Sequence, residues 1–225
     1  IRKKGVTSQR VEVIENFIDA EAIKPCSKSN ELSTRYNMDR HFVVMYAGNI
    51  GIPHGVEVLI CAAEIFKSEK KMVFCFVARG EYKERISFIA AQKNLQNALF
   101  LEPQPEKMVP LIWASATVGA ITYRKGLGKF SLPSKLLACM CAARPVIASI
   151  DLDSAAANLI TKAECGICVP PESPELLAES LIKLRNNPLK TETMGQNGRE
   201  YVEKHLNRDM IVNHYDTLFR IYSKQ

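Results

Sequence analysis

The chain has 225 residues, 47% of them hydrophobic and 24% charged, which is enough to bury one good core and makes a single α/β domain the expectation. No apolar run is long enough to span a bilayer, and no signal-peptide pattern is present in the sequence. The net charge of +6 favours anionic partners such as nucleotides, phospholipid surfaces or nucleic acid, but the scattered Lys and Arg select none of them.

In chain order, residues 1–5 read as the tail of a helix and residues 11–14 predict a short strand. A polar stretch over 24–39 reads as a loop with at most a helical turn. Residues 41–47 are a continuous apolar strand that ends in Gly48-Asn49-Ile50-Gly51. Val58, Leu59, Ala62, Ala63 and Phe66 recur at helical spacing and predict a helix over 56–66. Strands at 72–78, 98–101 and 118–121 then alternate with helices at 82–93 and 106–114.

The most informative segment follows. Pro133-Ser134-Lys135 opens a helix of small apolar residues, and Arg144-Pro145 precedes a buried strand at 146–149. In an α/β protein the loop before such a helix lies at the carboxyl edge of the sheet, where a helix N-terminus offers free N–H groups to an anion such as a diphosphate. A strand at 166–169 completes the set. Helices over 175–186, 191–204 and 208–223 close the chain, the first with Pro174 at its opening position. Apolar strands separated by amphipathic helices predict an α/β fold with a doubly wound parallel sheet.

Seven cysteines, mostly within apolar segments, argue for reduced thiols in a cytosolic protein. Cys165-Gly166-Ile167-Cys168 has no second CxxC and no His pair, so it reads as a short buried strand rather than a zinc site. Cys139 and Cys141 read as packing residues, and His205 and His214 as helix-surface residues.

A family pattern emerges from several segments in order. These are Val11-Glu12-Val13-Ile14-Glu15-Asn16-Phe17-Ile18-Asp19, Tyr46-Ala47-Gly48-Asn49-Ile50-Gly51, Pro133-Ser134-Lys135 with Arg144-Pro145-Val146-Ile147-Ala148, Cys165 to Pro171, and Met194-Gly195-Gln196-Asn197-Gly198-Arg199. Together they resemble the donor-binding half of GT-B glycosyltransferases of family 4, in particular the bacterial exopolysaccharide and lipopolysaccharide sugar transferases of colanic-acid and N-acetylfucosaminyl type.

The resemblance implies a Rossmann-like domain that takes a nucleotide-sugar, UDP-linked in preference to GDP-linked, as substrate. It implies retention of anomeric configuration, no metal and no other cofactor. Residues 1–25 would be a remnant of an inter-domain segment, 26–206 the donor-binding domain, and 207–225 a helix packing back towards an acceptor-binding N-terminal domain supplied in cis or in trans. Membrane association would run through that other domain, at the inner face of a cytoplasmic membrane, and no nucleic acid is expected as a partner.

By the same resemblance Gly48, Asn49, Gly51 and His54 would face the sugar or diphosphate, and Ser134 and Lys135 would hold the phosphates. Arg79, Gly80, Leu101, Glu102 and Ala138 would lie near the base and ribose. Relatives carry Arg and Lys where this chain has Asn49 and His54, and their two Glu residues fall on Phe130 and Ala138. The ribose-binding carboxylate therefore has no bearer at Ala138. Simpler readings stand beside these: Gly48 to Gly51 as a tight turn, Ser134 as a helix cap, Lys135 as a surface charge, and Arg79-Gly80 as a turn. The segment 122–132 reads as a loop that closes over a ligand, and a catalytically degenerate nucleotide-binding or partner-binding module is the second functional reading.

Overall fold

A computed structural model of the chain describes residues 11–129 and 131–223. Six strands, β1 (Phe42–Asn49), β2 (Met72–Arg79), β3 (Ala98–Leu101), β4 (Val118–Thr122), β5 (Val146–Ser149) and β6 (Gly166–Val169), form one sheet in the order β3-β2-β1-β4-β5-β6. Every neighbouring pair is parallel. The doubly wound α/β expectation is met, and the order reverses between β1 and β4, the place where such sheets open a crevice at their carboxyl ends.

The strands are apolar on both faces because helices cover both. Val43 and Met45 of β1 pack into one core with Ile121, Leu136 and Cys139, while Val44 and Tyr46 alternate into the other with Phe74 and Phe76. The first core lies under α4 (Val109–Ala114), α5 (Ser134–Cys141), α6 (Ala155–Lys162) and α8 (Pro188–Tyr201). The second lies under α2 (Glu57–Ile65), α3 (Lys83–Gln92) and α7 (Pro174–Asn186). A short α1 (Glu31–Arg35) is capped by Asn30, whose side chain accepts from Leu32 N and Ser33 N, and this is the helical turn expected within 24–39.

Three differences from the sequence reading have physical causes. Residues 11–14 form no strand; Val13 is exposed, and among the described residues the pairing nearby is a parallel bridge between Ile18 and Asn207. Helix α6 has no counterpart in the sequence reading, although Ser154 caps it through Ala157 N at 3.1 Å. The helix expected over 191–204 begins earlier, at Pro188, and gives way to a π-helical turn at Val202–Leu206 before α9 (Arg208–Tyr222). The helix tail expected at 1–5 lies outside the described residues.

One buried cation ties the closing helices to the segment before α1 and to the end of α5. Arg199 Nη1 donates to the carbonyls of Ala20, Ile23 and Cys141 at 2.9, 2.7 and 2.9 Å, and its Nε pairs with Glu203 at 2.6 Å. All seven cysteines are free; Cys139, Cys141 and Cys165 are buried, as packing residues should be. His205 is exposed with its ring tilted 47° to that of Tyr201, and His214 lies on α9 near Glu12.

Candidate functional site

A cleft of about 840 Å³ opens at the carboxyl ends of β1, β2 and β4. Its rim comes from the last residues of β1 (Ala47, Gly48 and Asn49), from Arg79 at the end of β2, and from Tyr123 just past β4. Ser134, Lys135 and Ala138 from the start of α5 close one side, and Val109, Ile112 and Trp113 of α4 form an apolar wall. Asn49, Arg79, Ser134 and Lys135 are therefore carried at the ends of strands or on the first turn of a helix, at the reversal point of the strand order.

Lys135 is the centre of this site. Its Nζ donates to Tyr46 Oη at 2.6 Å and sits 4.1 Å from the centre of the same ring. Tyr46 Oη in turn donates to the Asn49 carbonyl at 2.7 Å. With no carboxylate paired to it among the described residues, the Lys135 ammonium is pushed down by burial to a pKa of about 7. Gly48 turns the chain beside this arrangement at a φ of +131°, a conformation L side chains rarely adopt; space is not the reason, since a Cβ there would make an ordinary contact 3.5 Å from Lys135 Cε.

Helix α5 begins at Ser134. The preceding residue, Pro133, holds the cap position and has no side chain to cap with, so Ser134 is the first helical residue and not the cap. The opening turn of the helix thus faces the cleft with its backbone N–H end uncapped by any side chain. The reading of Lys135 as a plain surface charge is corrected by its burial.

His54 lies across the cleft, its ring 5.5 Å from that of Tyr123. Its Nδ1 accepts from Gly51 N at 2.9 Å, and burial first and Lys135 second hold its pKa below the usual histidine value. Both effects favour the neutral ring. Gly51 does not line the cleft; its N–H serves to orient His54.

The residues expected near the base and ribose divide. Arg79 and Ala138 line the cleft. Gly80 and Glu102 line an adjoining groove of about 420 Å³, in which Glu102 pairs with Lys83 at 2.7 Å. Leu101 is buried core, in register with Val77. Gly80 has its own role, since a Cβ there would fall 2.4 Å from the Ile50 carbonyl oxygen and 2.5 Å from Asn49 Oδ1 at a φ of +117°. Only glycine lets the two strand-end loops approach this closely.

Sequence reasoning passes over Tyr46, Trp113, Tyr123 and Glu106. Glu106, at the start of a 3-10 turn, is the one carboxylate lining the cleft among the described residues. No local signal marks Tyr46, an ordinary strand residue until Lys135 folds over it. The segment after β4 is held by several contacts: Arg124 N donates to the Pro53 carbonyl at 2.9 Å, and Gly126 N to Asp151 Oδ2 at 2.8 Å. Arg124 Nη2 pairs with Glu57 at 2.5 Å, and Glu57 also accepts from Tyr82 Oη at 2.9 Å. Phe130, one of the two positions at which relatives carry Glu, lies outside the described residues. Among the described residues no group of three or more His, Cys, Asp or Glu is clustered as a metal ligand set, and no helix is long and apolar enough to cross a membrane.

Comparison with known proteins gives the family and the fold. The putative colanic acid biosynthesis glycosyl transferase WcaI of Escherichia coli K12 is 24% identical over 221 residues, which cover 95% of this chain and 52% of WcaI. The alpha-D-kanosaminyltransferase of Streptomyces kanamyceticus is 24% identical over 203 residues, covering 87% of this chain and 50% of that enzyme. The chain thus spans about half the length of these relatives. Among solved structures, Anabaena HepE in complex with UDP superposes with a TM-score of 0.81 at 16% identity, over 100% of this chain and 60% of HepE. The C-terminal domain of the group 1 glycosyl transferase LpcC of Francisella tularensis gives 0.68 at 18% identity, over 85% of this chain and 99% of that domain. A model of the family "Glycosyl transferases group 1" matches residues 30–201, and the chain belongs to that family.

Proposed function

We propose that the cleft binds the diphosphate of a nucleotide-sugar and that this chain is the donor half of a retaining, metal-independent glycosyltransferase in polysaccharide biosynthesis. The observation that carries the reading is Lys135: a half-buried ammonium without a carboxylate partner, set on the uncapped first turn of α5 at the strand-order reversal. A departing nucleoside diphosphate gains negative charge as the sugar bond breaks. Lys135 and the α5 N–H groups would stabilise that charge where it develops, in the way fixed donors accelerate a reaction.

Neutral His54 and Asn49 would contact the sugar or its phosphate from the opposite rim, and Arg79 the outer part of the nucleotide. The apolar wall of Val109, Ile112 and Trp113 suits a base or ribose face. Uridine is preferred because the HepE structure of matching fold contains UDP. The acceptor, its activation and any contact with the cytoplasmic face of a membrane would belong to the other half of the enzyme, in cis or in trans.

Ala138 favours one second reading. Without a carboxylate at that position, a module that binds the nucleotide and does not turn it over is the alternative. Calorimetric titration of the chain with UDP, GDP, CMP and their sugar conjugates tests the proposal: UDP and a UDP-sugar should bind with one-to-one stoichiometry and CMP should not. Absence of binding by every nucleoside diphosphate would rule out both readings.

A further inference from the structure

A second pocket, of about 390 Å³, lies at the opposite end of the sheet, where β1, β4 and β5 begin. Phe42, Thr117 and Pro145 mark those strand starts, and the junction of α7 with α8 closes the other side. Three cations line it, Lys28, Arg144 and Arg185, against one carboxylate, the exposed Glu192. Arg185 is paired with Glu69 at 3.1 Å. Lys28 and Arg144 make no salt bridge among the described residues. Lys28 Nζ donates to the His41 carbonyl and, at 2.9 Å, to Thr117 Oγ1, while Arg144 Nη2 donates to the Cys26 carbonyl at 2.8 Å.

These contacts satisfy hydrogen bonds without neutralising charge. Arg144 Nε is buried with no hydrogen-bond partner among the described residues. Burial lowers the pKa of both groups; for Lys28 the neighbouring Arg144 lowers it further, against an opposing pull from Asp39, while Cys139, Cys26 and Glu192 pull that of Arg144 back up. Two like charges thus share a weakly screened pocket, an arrangement that an incoming anion would relieve. Phe42, Leu184 and Pro188 supply apolar wall for a small organic body, and the volume lies within the range of small-molecule sites.

We propose that this pocket is a second binding site, for a small phosphate-bearing metabolite whose phosphate is held by Lys28 and Arg144. A phosphate dianion can pair with Lys28 and Arg144 at once, neither of which makes a salt bridge among the described residues, and the pocket is too small to be a groove for a macromolecule. The site is separate from the donor cleft and stands whichever substrate that cleft takes.

Titrating the isotope-labelled chain with glycerol phosphate and, separately, with inorganic pyrophosphate tests it by amide shifts and calorimetry. Saturable shifts should appear at residues 116–117, 143–146 and 185–192. Arg144→Gln and Lys28→Gln should each weaken binding on the order of tenfold or more, as for loss of a charge-assisted contact, while Lys135→Ala leaves these shifts unchanged. If Arg144→Gln does not fold, the wild-type shift map and Lys28→Gln decide. Shifts confined to residues 48–54 and 133–135, or no saturation at the amino edge with either probe, overturn the proposal.

Discussion

Lys135→Met separates a lysine held ready for a ligand from one that merely supports the fold. In the ligand-free chain, burial lowers the pKa of this ammonium from its ordinary 10.5 to about 7, so keeping it charged costs about 5 kcal/mol relative to water. Because the folded value lies below the unfolded one, the unfolded chain holds more protons between about pH 7 and 10.5. The stability contributed by this group therefore rises with pH across that window, and its penalty is complete below pH 7. Lys135→Met keeps the apolar stem and removes the charge. It should raise ligand-free stability at pH 6 by about 1–3 kcal/mol in urea denaturation, discounting the full cost for relaxation and water entry. The same substitution should weaken UDP binding by about 1–3 kcal/mol, the range for a charge-assisted contact. A diphosphate selects the protonated form, so wild-type binding at pH 8.5 should take up close to one proton, and at pH 6 almost none. Calorimetry in two buffers of different ionisation enthalpy reads that uptake directly. Destabilisation by Lys135→Met with unchanged UDP affinity, or saturating UDP binding at pH 8.5 without proton uptake, refutes the reasoning.

Other substitutions test the scaffold of the site. Gly80→Ala forces a Cβ to 2.4 Å from the Ile50 carbonyl oxygen at a φ of +117°, and should cost about 2–4 kcal/mol and weaken donor binding; an unchanged denaturation midpoint would show that the two loops can part freely. Arg199→Met removes the donor to the Ala20, Ile23 and Cys141 carbonyls and should cost about 3–5 kcal/mol, with Arg199→Lys failing to restore it. A loss below about 1 kcal/mol would mean water replaces the guanidinium. Glu57→Gln weakens the tie between α2 and Arg124, so hydrogen exchange over residues 123–129 should quicken while α5 stays protected. Equal exchange in both proteins would assign the order of that segment to Pro53 and Asp151 instead.

The sheet was legible because a strand covered on both faces must be apolar throughout. Residues 41–47, 98–101, 146–149 and 166–169 carry that mark whatever surrounds them, and each is a strand or the greater part of one. Residues 11–14, Val-Glu-Val-Ile, instead alternate and form no strand, because β-branched alternation says nothing about whether a partner edge is within reach. Helix α6 escaped notice since it is only eight residues long, too few turns for its buried Ala156, Ala157 and Ile160 to recur as a helical stripe in the sequence. At the site, Ser134 and Lys135 were visible from their place before a helix, and Gly48 from its place after a strand. The pairing of Lys135 with Tyr46 was not, as 89 residues separate them and only the β1–β4 reversal brings their elements together. The separation of Gly80, Glu102 and Leu101 from the cleft was equally hidden, since it depends on which way each chain turns beyond its strand end.

A crystal structure of the chain grown with UDP tests the donor-cleft assignment most directly. The diphosphate should lie between the Gly48-Asn49 turn and the first turn of α5, with Lys135 Nζ within about 3 Å of a phosphate oxygen. A nucleotide bound at the amino edge beside Arg144, or a diphosphate in the cleft beyond the reach of Lys135, would contradict it.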